Sequence, residues 1–167
     1  WKAGRSGERA ARESRVKAGS ESRKQTGALD RGGVLAGYRA HGVDASGGTP
    51  LIEDVAAAYE WADLVLCRAG ATSVAELAVA GKPAVLVPFP HATHDHQTYN
   101  AQVMVDRGAA LLVAEKDLPH LDAGGMLINL LQDPGTLYTM SQMAHTCARP
   151  DAASKVAQGV LALCRRS

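Results

Sequence analysis

Apolar and polar positions change their period several times along the chain. Residues 1–27 (WKAGRSGERAARESRVKAGSESRKQTG) hold almost no large apolar side chains and no repeat that gives a core-facing helix, so a poorly ordered segment or a loose charged helix is expected there. From Leu29 the pattern tightens. Leu29, Val34, Leu35 and Tyr38 share one helical face, and His41-Gly42-Val43 ends it. Asp44 to Gly48 has the chemistry of a loop, and Thr49 to Ile52 that of a short strand. Glu53-Asp54 opens a helix to Trp61, with acidic residues where the helix dipole favours them. A compact apolar run, 63–67, follows, then a helix over 72–80 stopped by Gly81-Lys82-Pro83. Ala84 to Val87 is a second strand, closed by Pro88-Phe89-Pro90. Residues 91–96 are a loop, and a helix from about Gln97 to Arg107 stops at Gly108. Ala109 to Val113 is another strand. A helix ending at Leu131, a turn at Asp133-Pro134-Gly135, and helices over 136–147 and 151–165 complete the chain, with Asp151 capping the last.

Strands alternating with helices at this spacing predict right-handed βαβ units and a parallel sheet. The expectation is an α/β domain over 28–167, Rossmann-like, with helices on both faces. Such sheets bind ligands beyond the carboxyl ends of their strands. Arg68–Ser73, Pro88–Gln97 and the stretch after Val113 sit there.

Composition alters this picture little. The 167 residues suit one domain, and with aromatics at 4% the core falls to Ala, Val and Leu. The net charge of +1 conceals an asymmetry. The first 31 residues hold nine of the 18 Lys and Arg but only four of the 17 Asp and Glu. This arm reads as a solvated tail, or as a segment for nucleic acid or anionic lipid. It lacks interleaved aromatics, which argues against base stacking. Cys67, Cys147 and Cys164 show no metal spacing and read as reduced thiols. No signal peptide or spanning-length apolar run is visible, which suggests a cytosolic protein and leaves a peripheral membrane role open.

The candidate chemistry lies at the strand ends. Gly70 before a helix either serves turn geometry or lets the backbone of Ala71, Thr72 and Ser73 approach an anion such as phosphate. Glu76 either closes a capping box with Ser73 or accepts hydrogen bonds from two vicinal ribose hydroxyls. Arg68 either meets a phosphate or braces the scaffold. His91, His94, Asp95 and His96 crowd one loop, but their spacing matches no zinc signature, and sugar binding with Gln97 and Asn100 is the better reading. No Ser-His-Asp or Cys-His arrangement has credible spacing.

The run from Ile52 to Ala101, IEDVAAAYEWADLVLCRAGATSVAELAVAGKPAVLVPFPHATHDHQTYNA, resembles the donor-binding, C-terminal half of the MurG family of GT-B glycosyltransferases. The resemblance runs from about Gln25 to Arg165 and rests on C-R-x-G-A-x-S/T-V-x-E, G-x-P-A, V-P-F and Q-x-x-N-A. It implies an inverting hexosyltransferase that moves N-acetylglucosamine from UDP-GlcNAc to lipid I, forming lipid II in peptidoglycan synthesis at the inner face of the cytoplasmic membrane. It implies no cofactor, no metal and no nucleic acid. Ala71, Thr72 and Ser73, with Gly70 and Arg68 beside them, would meet the diphosphate and sugar. Glu76 would hold the ribose and Ile52 the uracil. His96 and Gln97 would read the sugar hydroxyls, although His96 stands where many members carry glutamine.

Two departures qualify this. The family's N-terminal half, with its acceptor site and candidate base, has no counterpart here, so no catalytic base is assigned and the chain alone is expected to be inactive. Residues 1–24 also differ from the strand and glycine-rich loop that precede this region in the family. A frame error or truncation upstream is our hypothesis for that change; one continuous frame in the source DNA, with no family-like frame upstream, would overturn it. The alternatives are a nucleotide-sugar-binding module that works with a separate acceptor-binding partner, another GT-B enzyme of UDP-GlcNAc such as an epimerase, and a nucleic-acid-binding protein using the basic arm.

Overall fold

A computed structural model describes residues 2–4, 22–25, 48–92 and 95–164. Their strands are β1 (Lys2–Gly4), β2 (Ser22–Gln25), β3 (Gly48–Thr49), β4 (Ala62–Cys67), β5 (Ala84–Leu86) and β6 (Ala110–Leu112). Their helices are α1 (Val55–Trp61), α2 (Ala71–Val79), α3 (His96–Val105), α4 (Ala123–Gln132), α5 (Pro134–Cys147) and α6 (Ala152–Cys164), with a 3₁₀ segment at Glu115–His120. The expected helix after Leu29 lies outside the described residues.

The strands form one sheet in the order β3-β2-β1-β4-β5-β6. β4, β5 and β6 run parallel, with Val65 opposite Ala84 and Ala84 opposite Ala110; β2 and β3 are also parallel. β1 is the departure. It pairs antiparallel with both β2 and β4, and its register shifts between Ala3 and Gly4. So two short pieces of the basic segment, Lys2–Gly4 and Ser22–Gln25, join the sheet, where the sequence pattern predicts no strand.

The apolar runs of β4 and β5 follow from burial on both faces. Alternate side chains enter opposite cores. Val65, Ala84 and Leu86 pack with Val74, Leu77, Ala101 and Met104 on one face. Leu64, Val85 and Val87 pack with Leu127, Leu131 and Leu137 on the other. α5 joins the two layers, giving Leu137 to one core and Ala144 to the other.

Helix boundaries follow their capping chemistry. Asp54 lies outside α1 as its cap, accepting from the Ala57 N–H at 2.8 Å, rather than within the helix. Asp133-Pro134-Gly135, expected as a turn, instead starts α5. Asp133 accepts from the Thr136 N–H at 3.0 Å, and Pro134 takes the first turn, where its missing N–H costs nothing. Gly81 closes α2 at φ 60°, with the Lys82 N–H on the Leu77 carbonyl at 2.9 Å and its own N–H on Ala78 at 3.2 Å. The strand expected over 49–52 shortens to Gly48–Thr49. α6 forms where predicted, with Asp151 paired to Lys155 at 2.6 Å, but buries none of its residues. No described helix is long and apolar enough to cross a membrane.

Candidate functional site

The site begins where β4 ends. Cys67 leads through Arg68 and Ala69 to Gly70, the residue capping α2. Gly70 has φ −61° and ψ 146°, a conformation open to any residue, and a Cβ there would come no nearer than 3.9 Å, to Ser73 Oγ. Turn geometry therefore does not require glycine here. No side chain caps this helix start. The first-turn N–H groups of Ala71, Thr72 and Ser73 have no intrahelical acceptor, as at any helix N-terminus, and carry the positive end of the dipole.

The capping-box alternative for Glu76 fails. α2 starts at Ala71, which puts Ser73 inside the helix and Glu76 in its second turn, beyond reach of the first backbone donors. Glu76 instead faces α1, where the Tyr59 hydroxyl donates to its Oε2 at 3.1 Å. Both residues line a cavity of about 670 Å³ between α1 and α2, with Val55, Ala56, Thr72, Ala75, Val79 and Lys82. Burial, and then the hydrogen bond to Glu76, raise the Tyr59 pKa well above its ordinary value.

The remaining residues brace the loops. The Arg68 guanidinium donates to the carbonyls of Pro88 at 3.2 Å and Val87 at 3.4 Å, pairs with Glu115, and lies 5.4 Å from the Phe89 ring centroid. Its contacts are those of the scaffold alternative. Asn100 donates from Nδ2 to the Ala69 carbonyl at 3.1 Å, steadying the residue before Gly70. Gln97 Oε1 accepts from the Phe89 N–H at 2.9 Å. His96 is exposed at the first position of α3, behind Asp95 in the left-handed region at φ 54°. Half-buried Ile52 follows β3, its N–H on Gln25 Oε1 at 3.3 Å. His91 is exposed and packs edge-on against Phe89, while His94 lies outside the described residues. Among the described residues no three His, Cys, Asp or Glu side chains cluster as metal ligands would.

Residues 22–156 match the glycosyltransferase family 28 C-terminal domain. The chain belongs to that family. Its relatives include a protein of Nitratidesulfovibrio vulgaris (strain DP4), 53% identical over 89% of this chain. Another, from Lawsonia intracellularis, is 52% identical over 84%. Both bear the name UDP-N-acetylglucosamine--N-acetylmuramyl-(pentapeptide) pyrophosphoryl-undecaprenol N-acetylglucosamine transferase. The crystal structure of Acinetobacter baumannii MurG superposes with a TM-score of 0.59 at 38% identity, covering 72% of this chain and 33% of that one. The chain spans about 40% of the length of these curated relatives.

Within this family 28 domain the structure gathers Thr72, Glu76 and Tyr59 at one cavity. Ile52 stands apart, three residues beyond the end of β3 and three before Val55, which lines the same cavity. Tyr59 falls within the helix expected up to Trp61, and sequence reasoning gave it no role. The available signal was a tyrosine on the core side of α1, since a buried hydroxyl needs a partner.

Proposed function

We propose that this domain binds UDP-GlcNAc as the donor half of an inverting N-acetylglucosaminyltransferase. The acceptor would be lipid I, the lipid-linked muramyl pentapeptide, and the product lipid II of peptidoglycan synthesis. The observation that carries this is the pairing of an uncapped α2 N-terminus with Glu76 one turn further along, in a chain 53% identical to transferases of that name. The nucleotide lies across the carboxyl edge of the sheet. Its uracil rests by Ile52, and its ribose hydroxyls donate to Glu76, whose two oxygens offer about four lone pairs. The diphosphate faces the N–H groups of Ala71, Thr72 and Ser73. As the glycosidic bond breaks, negative charge grows on that diphosphate, and fixed N–H dipoles stabilise it without reorganising. His96, Gln97 and Asn100 on α3 face the sugar, and Arg68 holds the Val87–Pro88 start of the loop that leads to that helix.

The residues assigned here account for the donor alone. Acceptor binding, proton removal from the acceptor hydroxyl and contact with the inner face of the cytoplasmic membrane belong to groups beyond them. A binding module that works beside a separate acceptor-binding chain is therefore the second reading. An assay with lipid I separates the two: product only when the domain is joined in one chain to an acceptor half supports the donor half of a single transferase, and product from the domain mixed with a separate acceptor-binding chain supports the module.

Calorimetric titration with UDP-GlcNAc tests the donor site. Saturable binding is expected, and Glu76→Ala should weaken it by the ~1.5–3 kcal/mol of a hydrogen bond to a charged group. A folded chain that does not bind, or a Glu76→Ala variant that binds as tightly, refutes the assignment.

A further inference from the structure

We propose that Tyr59 is a positioning residue for the donor: its hydroxyl, fixed by a buried ring on α1, holds the Glu76 carboxylate on α2 in the orientation that receives the ribose hydroxyls. The inference rests on the reading of Glu76 as the ribose-binding group.

Glu76 is an exposed side chain with three rotatable bonds, and a surface glutamate on a helix samples several rotamers. Tyr59 has no such freedom. Its residue is 8% exposed, and its ring packs in the core cluster with Val65, Val74 and Leu77. The Oη atom reaches Glu76 Oε2 at 3.1 Å across the gap between two helices. That bond takes one of the carboxylate's acceptor sites and leaves Oε1, with the remaining lone pairs, for two further donors.

The identity of the partner matters. Among the described residues no Lys or Arg pairs with Glu76. Lys82, which lines the same cavity, instead donates to the Ala62 carbonyl at 3.1 Å. A neutral O–H thus orients the carboxylate without itself neutralising the charge, and a charged acceptor makes stronger hydrogen bonds with neutral ribose hydroxyls. Tyr59 stays a donor through the physiological range, because burial and the neighbouring carboxylate keep its proton on.

The test titrates UDP and 2′-deoxy-UDP into the wild-type chain, Tyr59→Phe, Glu76→Ala and the double variant, with circular dichroism and thermal melts confirming the fold. Tyr59→Phe keeps the ring and removes only the hydroxyl. It should lower UDP affinity about five- to tenfold and shrink the preference for UDP over 2′-deoxy-UDP. In the Glu76→Ala background it should change neither. Wild-type preference in Tyr59→Phe, with Glu76→Ala still weakening UDP, overturns the positioning role and leaves the ribose assignment standing. UDP affinity unmoved by Glu76→Ala overturns both, as does a folded chain that binds neither nucleotide. Should Tyr59→Phe not fold, Tyr59→Met is a second filling without a hydroxyl and is judged by the same ratio.

Discussion

Single residues at the helix ends carry constraints that can be measured apart from the site. Gly81 adopts φ 60°, and a Cβ there would lie 2.1 Å from Nε2 of His145. Gly81→Ala should therefore cost ~1–3 kcal/mol, from the left-handed backbone and from displacing the imidazole. Urea denaturation measures the loss. Adding His145→Ala should recover only the steric part, because the φ penalty remains. Gly70 predicts a contrast. Its conformation suits any residue, so Gly70→Ala should leave stability within ~0.5 kcal/mol while weakening UDP-GlcNAc binding, because in the proposed pose the added methyl group stands where the diphosphate approaches. Equal losses in stability and binding would show that Gly70 serves the fold.

At the scale of elements, α5 depends on its first turn. The Thr136 hydroxyl, at 2.7 Å, and then the Thr136 N–H hold the Asp133 carboxyl below its usual range. A group whose folded pKa is depressed contributes stability above its unfolded value, near pH 4, and loses it as pH falls through the folded value. The urea midpoint should therefore fall with acidification from about pH 4 downward. Asp133→Asn, which keeps the accepting oxygen without titrating, should flatten that limb by this site's share. An unchanged limb would show that the α5 cap contributes nothing to acid sensitivity. The same element ties both cores together through Leu137 and Ala144, so loosening its start is felt on both faces of the sheet.

For the whole molecule, ligand and fold are linked. A nucleotide that binds only the folded domain stabilises it by about 2.7 kcal/mol at a hundred times its dissociation constant. For a chain of this size that raises Tm by roughly 5–10 °C. Scanning calorimetry with UDP should show the shift, and Glu76→Ala should reduce it at the same UDP concentration. An equal shift in both proteins would place the nucleotide away from the cavity between α1 and α2.

Most of the architecture was legible in the sequence, for local reasons. Buried strands must be apolar on both faces, so Leu64–Leu66 and Ala84–Val87 announce themselves, and the glycines after α2 and α3 end helices through their own backbone freedom. The family motifs likewise mark Gly70 and Glu76 without any coordinates. Asp133-Pro134 was misread because an acidic residue before proline suits a turn and a helix start equally well. The antiparallel β1 was not foreseen, because its polar, glycine-containing segment has no apolar period to reveal it. What the tertiary structure alone decided is the partnering of polar groups: Tyr59 with Glu76 across 17 residues, Arg68 with Glu115 across 47, and Asn100 with the Ala69 carbonyl across 31. A polar side chain finds its partner where the crossovers bring two elements together, and periodicity within one element does not contain that distance.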